Sequence, residues 1–186
     1  VEKKLYQINK LEEIKEIPVF FEFKPETFIP QKMISFEKDL YFFSPLAPNL
    51  FKVVETGEFQ IIPIEKKFNS GASLSDSMLF FSKPDQLSIL KPGAAFIDSL
   101  LKTYPDFSLD DISVFRKDLY FLDKKTGQII KYPYLENFKW GPPHLWIASQ
   151  TPKESLRLPT GQEKKAMDAK SMAIDGSIWI LKTDNS

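Results

Sequence analysis

The chain has 186 residues, 25 basic against 25 acidic, one histidine and no cysteine. Disulfide frameworks, thiolate zinc centres and cysteine nucleophiles are thereby excluded, and a chain of this length can bury a core without covalent staples. The basic residues are lysines apart from Arg116 and Arg157, set beside acids as in EKK at 65–67, so no concentrated basic surface for nucleic acid is expected.

In chain order, KKLYQIN and LEEIKEIP open as two short strands; the second also reads as a helical stretch, because Leu11, Ile14 and Ile17 recur every three residues. Segment 18–31, PVFFEFKPETFIPQ, links these to a first full unit. That unit runs KMISF (32–36), the polar turn Glu37-Lys38-Asp39, DLYFF from Asp39, NLFKVV (49–54) and FQIIPI (59–64). A second unit follows the same order: GASL (71–74), Ser75-Asp76-Ser77, SMLFF and QLSIL (86–90). Its last piece, AAFIDSLLK (94–102), fits either strand or helix, since Phe96/Leu100 and Ile97/Leu101 are four apart. The third unit has DISVF (111–115), Arg116-Lys117-Asp118, DLYFL, GQIIKY (127–132) and HLWIAS (144–149). Within its DKKTGQ turn, Gly127 is expected at positive φ. Residues 150–169 are polar and interrupted by Pro152 and Pro159, and Thr160 with Glu163 has capping-box spacing for a short helix. The last unit is SMAI (171–174), an Asp175-Gly176 hairpin signal and SIWIL from Ser177.

Four pentapeptides thus repeat one another, with Leu40, Met78, Leu119 and Ile178 in register at spacings of 38, 41 and 59 residues. Repeats of this period indicate solenoids, propellers or arrays. Each pentapeptide is apolar at consecutive rather than alternate positions, so both faces of each strand must be covered. A strand inside a propeller blade, lying between two neighbouring sheets, meets that condition. The expectation is an all-β domain over 1–186, a small β-propeller of four blades. Strands from the N- and C-terminal ends would share one blade and remove an exposed sheet edge. A fragment of a larger propeller and a β-sandwich are the alternatives.

The stretch DLYFLDKKTGQIIKY resembles blades of the pyrroloquinoline-quinone-repeat type, with Leu119–Leu122, Asp123, Thr126-Gly127 and Ile129–Tyr132 as counterparts. DAKSMAIDGSIWILKTDN is similar to a hemopexin blade at Asp168, Ala169, Gly176 and Trp179. Both resemblances imply propeller architecture. Analogy with propellers attached to bacterial surface and signalling proteins points to an extracytoplasmic setting.

The chemistry-bearing residues are sparse. His144, alone in WGPPHLW, reads as structural, and no glycine-rich phosphate loop, H-E-x-x-H or EF-hand motif occurs. Carboxylates recur in the turns at Asp39, Asp76, Asp118, Asp123 and Asp175, where a ring of first-turn acids would suit calcium or acid–base work; turn preference explains them more simply. Aromatics outside the repeated strands, Phe20, Phe21, Phe23, Trp140 and Trp146, with His144, are the candidate contacts for a partner, the rival role being to cover gaps between blades. No cofactor and no metal ligand set is expected. No apolar run reaches the ~20 residues of a spanning helix, and VEKKLYQINK lacks the pattern of a signal peptide. The expected function is a non-catalytic binding or assembly module with another protein as partner. The alternatives are a structural subunit of an envelope or filament, and an enzyme using end carboxylates on a glycan-like substrate.

Overall fold

The structure, a computed structural model, describes residues 21–24, 28–103, 107–125, 127–146 and 169–182. Every element in it is a strand. Blade 1 is an antiparallel sheet of β1 (Lys32–Phe36), β2 (Asp39–Ser44), β3 (Ala47–Val53) and β4 (Phe59–Pro63), paired in that order. Blade 2 repeats this with β5 (Ser70–Leu74), β6 (Ser77–Ser82), β7 (Gln86–Leu90) and β8 (Ile97–Leu100). Blade 3 has β9 (Asp111–Phe115), β10 (Asp118–Leu122), β11 (Ile129–Tyr132) and the short β12 (His144–Leu145). The hairpin β13 (Ala169–Ile174) and β14 (Ile178–Lys182) is the described part of a fourth blade. The four pentapeptides occupy β2, β6, β10 and β14, the second strand of each sheet, and none pairs with another.

The first strands of successive blades lie against one another, β1 on β5, β5 on β9 and β9 on β13. Each sheet therefore starts at a common axis and meanders outward. This is an all-β fold of the small-propeller class, and the sandwich alternative is set aside. Among the described residues no helix is long and apolar enough to cross a membrane.

The consecutive apolar residues do what their pattern requires. Along β6, Met78 and Phe80 pack toward blade 1 with Ile34, Phe43, Leu50 and Phe68. Leu79 and Phe81 pack toward blade 3 with Leu119 and Phe121. Along β10 the other pair, Tyr120 and Leu122, meets Ala169 and Met172 of the hairpin. The connectors between blades add wedges to these layers: Ile64 and Phe68 between blades 1 and 2, Leu101 and Leu109 between blades 2 and 3. Each such side chain contributes about 1.5–3 kcal/mol by leaving water, so the interblade layers supply most of the driving force. Gly71 marks the tightest approach. A Cβ there would stand 2.5 Å from Ile34 Cδ1 and 2.9 Å from the Leu79 carbonyl oxygen.

The turns follow local chemistry. Arg116 and Lys117, at φ 50° and 71°, form a two-residue turn of the handedness that matches strand twist, and Gly127 takes φ 69° as expected. AAFIDSLLK resolves as strand: Ile97–Leu100 pairs with β7, and the Asp98 carboxylate accepts a hydrogen bond from the Ser88 hydroxyl at 2.7 Å. The open edge of β7 offers hydrogen bonds that outweigh a helical spacing of four. The last hairpin has a three-residue loop, not two, because Ile174 opposes Ile178 and the Asp175 carboxylate accepts the Ser177 N–H at 3.1 Å. The opening strands 3–18, the shared closing blade, the end of HLWIAS and the helix at Thr160 fall outside the described residues.

Candidate binding site at the blade axis

Three of the turn acids have one and the same partner type. Asp39 pairs with Lys52 at 2.7 Å, Asp76 with Lys91 at 3.0 Å and Asp118 with Lys131 at 2.7 Å. In each blade the acid lies at the first turn or the opening of the second strand, and the lysine lies on the third strand or just after it. Bonds from Asp39 and Asp118 raise the ammonium pKa values of Lys52 and Lys131, and the bond from Lys91 lowers that of Asp76. Asp175 is lowered by the Ser177 N–H and then by the Trp179 indole. Among the described residues no group of three or more acids or histidines is placed to hold a metal ion. The first-turn acids thus latch neighbouring strands within their own blades and do not converge as a ring.

The aromatics singled out from the sequence are placed as follows. Phe20 lies outside the described residues. Phe21 stacks on Phe59 at 5.4 Å, and Phe23 meets Phe28, Phe42 and Phe51 edge-on, so both lie on the face of blade 1 turned away from blade 2. Trp140 packs against Tyr134 at 5.8 Å and donates its indole N–H to the Lys117 carbonyl at 3.0 Å. Trp146 meets Tyr120 edge-on at 5.3 Å in the layer beside the last hairpin. His144 is exposed on the edge strand, opposite Lys131.

A different set of residues converges at the axis. Asp111 opens β9 and is buried. Its Oδ1 accepts from Lys32 Nζ of β1 at 2.8 Å and from the Ser70 hydroxyl of β5 at 2.7 Å. Its Oδ2 accepts from the Met172 N–H of β13 at 3.1 Å. Ser70 Oγ in turn accepts from the Ile112 N–H at 3.0 Å. One carboxylate therefore ties the first strands of all four sheets. The sequence reading missed it by taking DISVF as a core strand, yet the signal was present: eight residues before the aligned Leu40, Met78 and Leu119 stand Lys32, Ser70 and Asp111, and the longer loop of the last hairpin brings Ser171 to the same register position. A polar column at the same place in every repeat belongs at the axis.

At this end of the blades the second turns and the interblade connectors also gather. A groove of about 340 Å³ between blades 2 and 3 is lined by Lys83, Pro84, Phe107, Leu109, Asp123 and Lys125. Lys83 pairs with Asp110 and reaches the Ser108 hydroxyl at 3.4 Å, and Asp110 Oδ2 accepts the Lys124 N–H at 2.8 Å. Burial would raise the Asp110 pKa, but Lys83, the Lys124 N–H and the Ser108 hydroxyl bring it down on balance. Asp123 is buried and accepts the Lys125 N–H at 2.9 Å. The arrangement can orient a polar ligand by fixed charges over a small apolar floor.

Fold and axis together define a propeller-type repeat domain. No family model and no curated relative matches the chain. Among solved structures it is similar to virginiamycin B lyase from Staphylococcus aureus, at 13% identity and a TM-score of 0.53, over 82% of this chain and 48% of that one. A streptogramin B lyase (16%, 0.48, over 77% and 44%) and YCF48 bound to a D1 peptide (12%, 0.38, over 81% and 59%) are also similar. The chain thus spans about half the length of the lyases. At these identities the first likeness establishes the β-propeller fold and nothing finer.

Proposed function

We propose that the chain acts as one domain, a non-catalytic binding or assembly module whose partner is another protein. The observation that carries this is the outer face of the last hairpin, which no other sheet covers among the described residues. In β6 and β10 both faces of the second strand are covered by neighbouring sheets; in β14, Ile178 and Ile180 face blade 3 while Trp179 and Leu181 are 62% and 60% exposed. That face continues the stacking of blades, so an apolar β-sheet surface supplied by a protein would fit it. Phe21 and Phe23 on blade 1 and exposed His144 are the other contacts we retain. The kinship of blade 3 with pyrroloquinoline-quinone-type repeats is supported by Gly127 at positive φ and by the buried Asp123 that caps its turn.

The glycan-enzyme reading has less support. It needs an acid held neutral at its working pH beside a second carboxylate. Asp39, Asp76 and Asp118 are instead each paired with a lysine of their own blade. The test is a photo-crosslinking amino acid at position 179, with the same group at exposed Glu136 as control. One adduct of defined mass at 179 and none at 136 is expected. Equal labelling at both, or none at 179, refutes the reading.

A further inference from the structure

Charged side chains gather in and beside the groove. Lys32, Lys83, Lys124 and Lys125 stand against Asp110, Asp111 and Asp123. Lys32 is taken by Asp111 and Lys83 by Asp110. Among the described residues, Lys124 Nζ has no carboxylate within ion-pair distance, although its backbone N–H is bonded to Asp110. It is half-buried, and burial first and Lys32 next hold its pKa below the usual lysine value. An ammonium in that position gains from an anion that approaches it.

We propose that this cluster binds a carboxylate, received by Lys124 with Lys83 and Lys32 beside it, whose short hydrocarbon stem lies on Pro84, Phe107 and Leu109. The apolar floor beside the ammonium groups favours an anion that carries a hydrocarbon stem over inorganic phosphate. The three apolar residues fit a stem of a few carbons. Lys83 belongs to both halves, lining the groove and pairing with Asp110, so charge and apolar floor are contiguous. The inference goes beyond the protein-binding reading and uses the opposite side of blade 3 from the hairpin face, so either stands if the other fails.

The test is titration of the ¹⁵N-labelled full chain, followed at the backbone amides of Lys83, Ser108, Lys124 and Lys125. Hexanoate represents a free acid, N-acetyl-isoglutamine a side-chain carboxylate within a peptide, and hexanamide a neutral isostere. Saturable shifts with either acid, absent with hexanamide, are expected, and the tighter acid identifies the source. Lys124→Met should weaken binding by about tenfold or more with an otherwise unchanged spectrum, while Lys124→Arg retains it. Shifts from hexanamide equal to those from the acids, no saturation with either acid, or undiminished binding by Lys124→Met would each overturn the proposal.

Discussion

Asp111 is a single side chain on which four sheets depend, and its removal has a calculable effect. Asp111→Asn keeps the shape and removes the charge. With its oxygen at the Oδ1 position the amide keeps Ser70 and Lys32 but turns its N–H₂ on the Met172 N–H; flipped, it keeps Met172 but turns its N–H₂ on the Ser70 hydroxyl and the Lys32 ammonium, donor against donor. A hydrogen bond to a charged group is worth about 1.5–3 kcal/mol, and an unsatisfied buried donor costs a further 1–3 kcal/mol or so. Lys32 is a quarter exposed and rehydrates in part, which discounts its share. A loss of about 3 kcal/mol is expected for Asn, and more for Ala, which leaves both Ser70 and Met172 without an acceptor. With a urea slope of about 2–3 kcal/mol/M, the midpoint should fall by roughly 1–1.5 M. Hydrogen exchange adds a local readout, since the Met172 amide should lose protection beyond the global change. A midpoint shift below about 0.3 M, with Met172 still protected, would refute the claim that this carboxylate joins the blades.

The other expectations are more local. Gly71→Ala should destabilise by about 1–3 kcal/mol through the approach to Ile34 and the Leu79 carbonyl, and adding Ile34→Val should recover part of it; additive losses in the double mutant would contradict the packing. Asp76, Asp98 and Asp110 are depressed below their usual 3.8 when folded, so they stabilise the fold above that pH and the contribution is lost as pH falls through their folded values. Acid unfolding monitored by tryptophan fluorescence should therefore be less steep in Asp110→Asn. Burial pushes the Tyr132 phenol up to about 12, with Asp85 adding to it, while the unfolded phenol ionises near 10. Stability should decline as pH rises between those values, and Tyr132→Phe should remove that part of the slope; an unaltered alkaline profile would show that the phenol is not enclosed. Leu181→Lys should leave the unfolding free energy within about 0.5 kcal/mol of the parent, as exposed positions do, while abolishing the adduct formed from position 179.

Much of the fold was legible because a propeller is written by repetition. Equivalent pentapeptides with consecutive apolar residues can only be strands sandwiched between sheets, and Met78–Phe81 and Leu119–Leu122 are sandwiched in that way. Polar pairs such as Arg116-Lys117 announced their turns. The fourth strand of blade 2 was ambiguous because Ile97 and Leu100 lie at the rim, where burial imposes no strict alternation. The site was far less legible. Phe21, Phe23, Trp140 and Trp146 stand out as aromatics between strands, and local sequence cannot say which faces they cover. The partners of Asp111 lie 79, 41 and 61 residues away, so only the stacking of four sheets about one axis brings Lys32, Ser70 and the Met172 amide to its oxygens. Periodic burial is a local property and survives in the string of letters; a polar junction among sheets is a property of their arrangement around an axis, and exists only once the chain has folded.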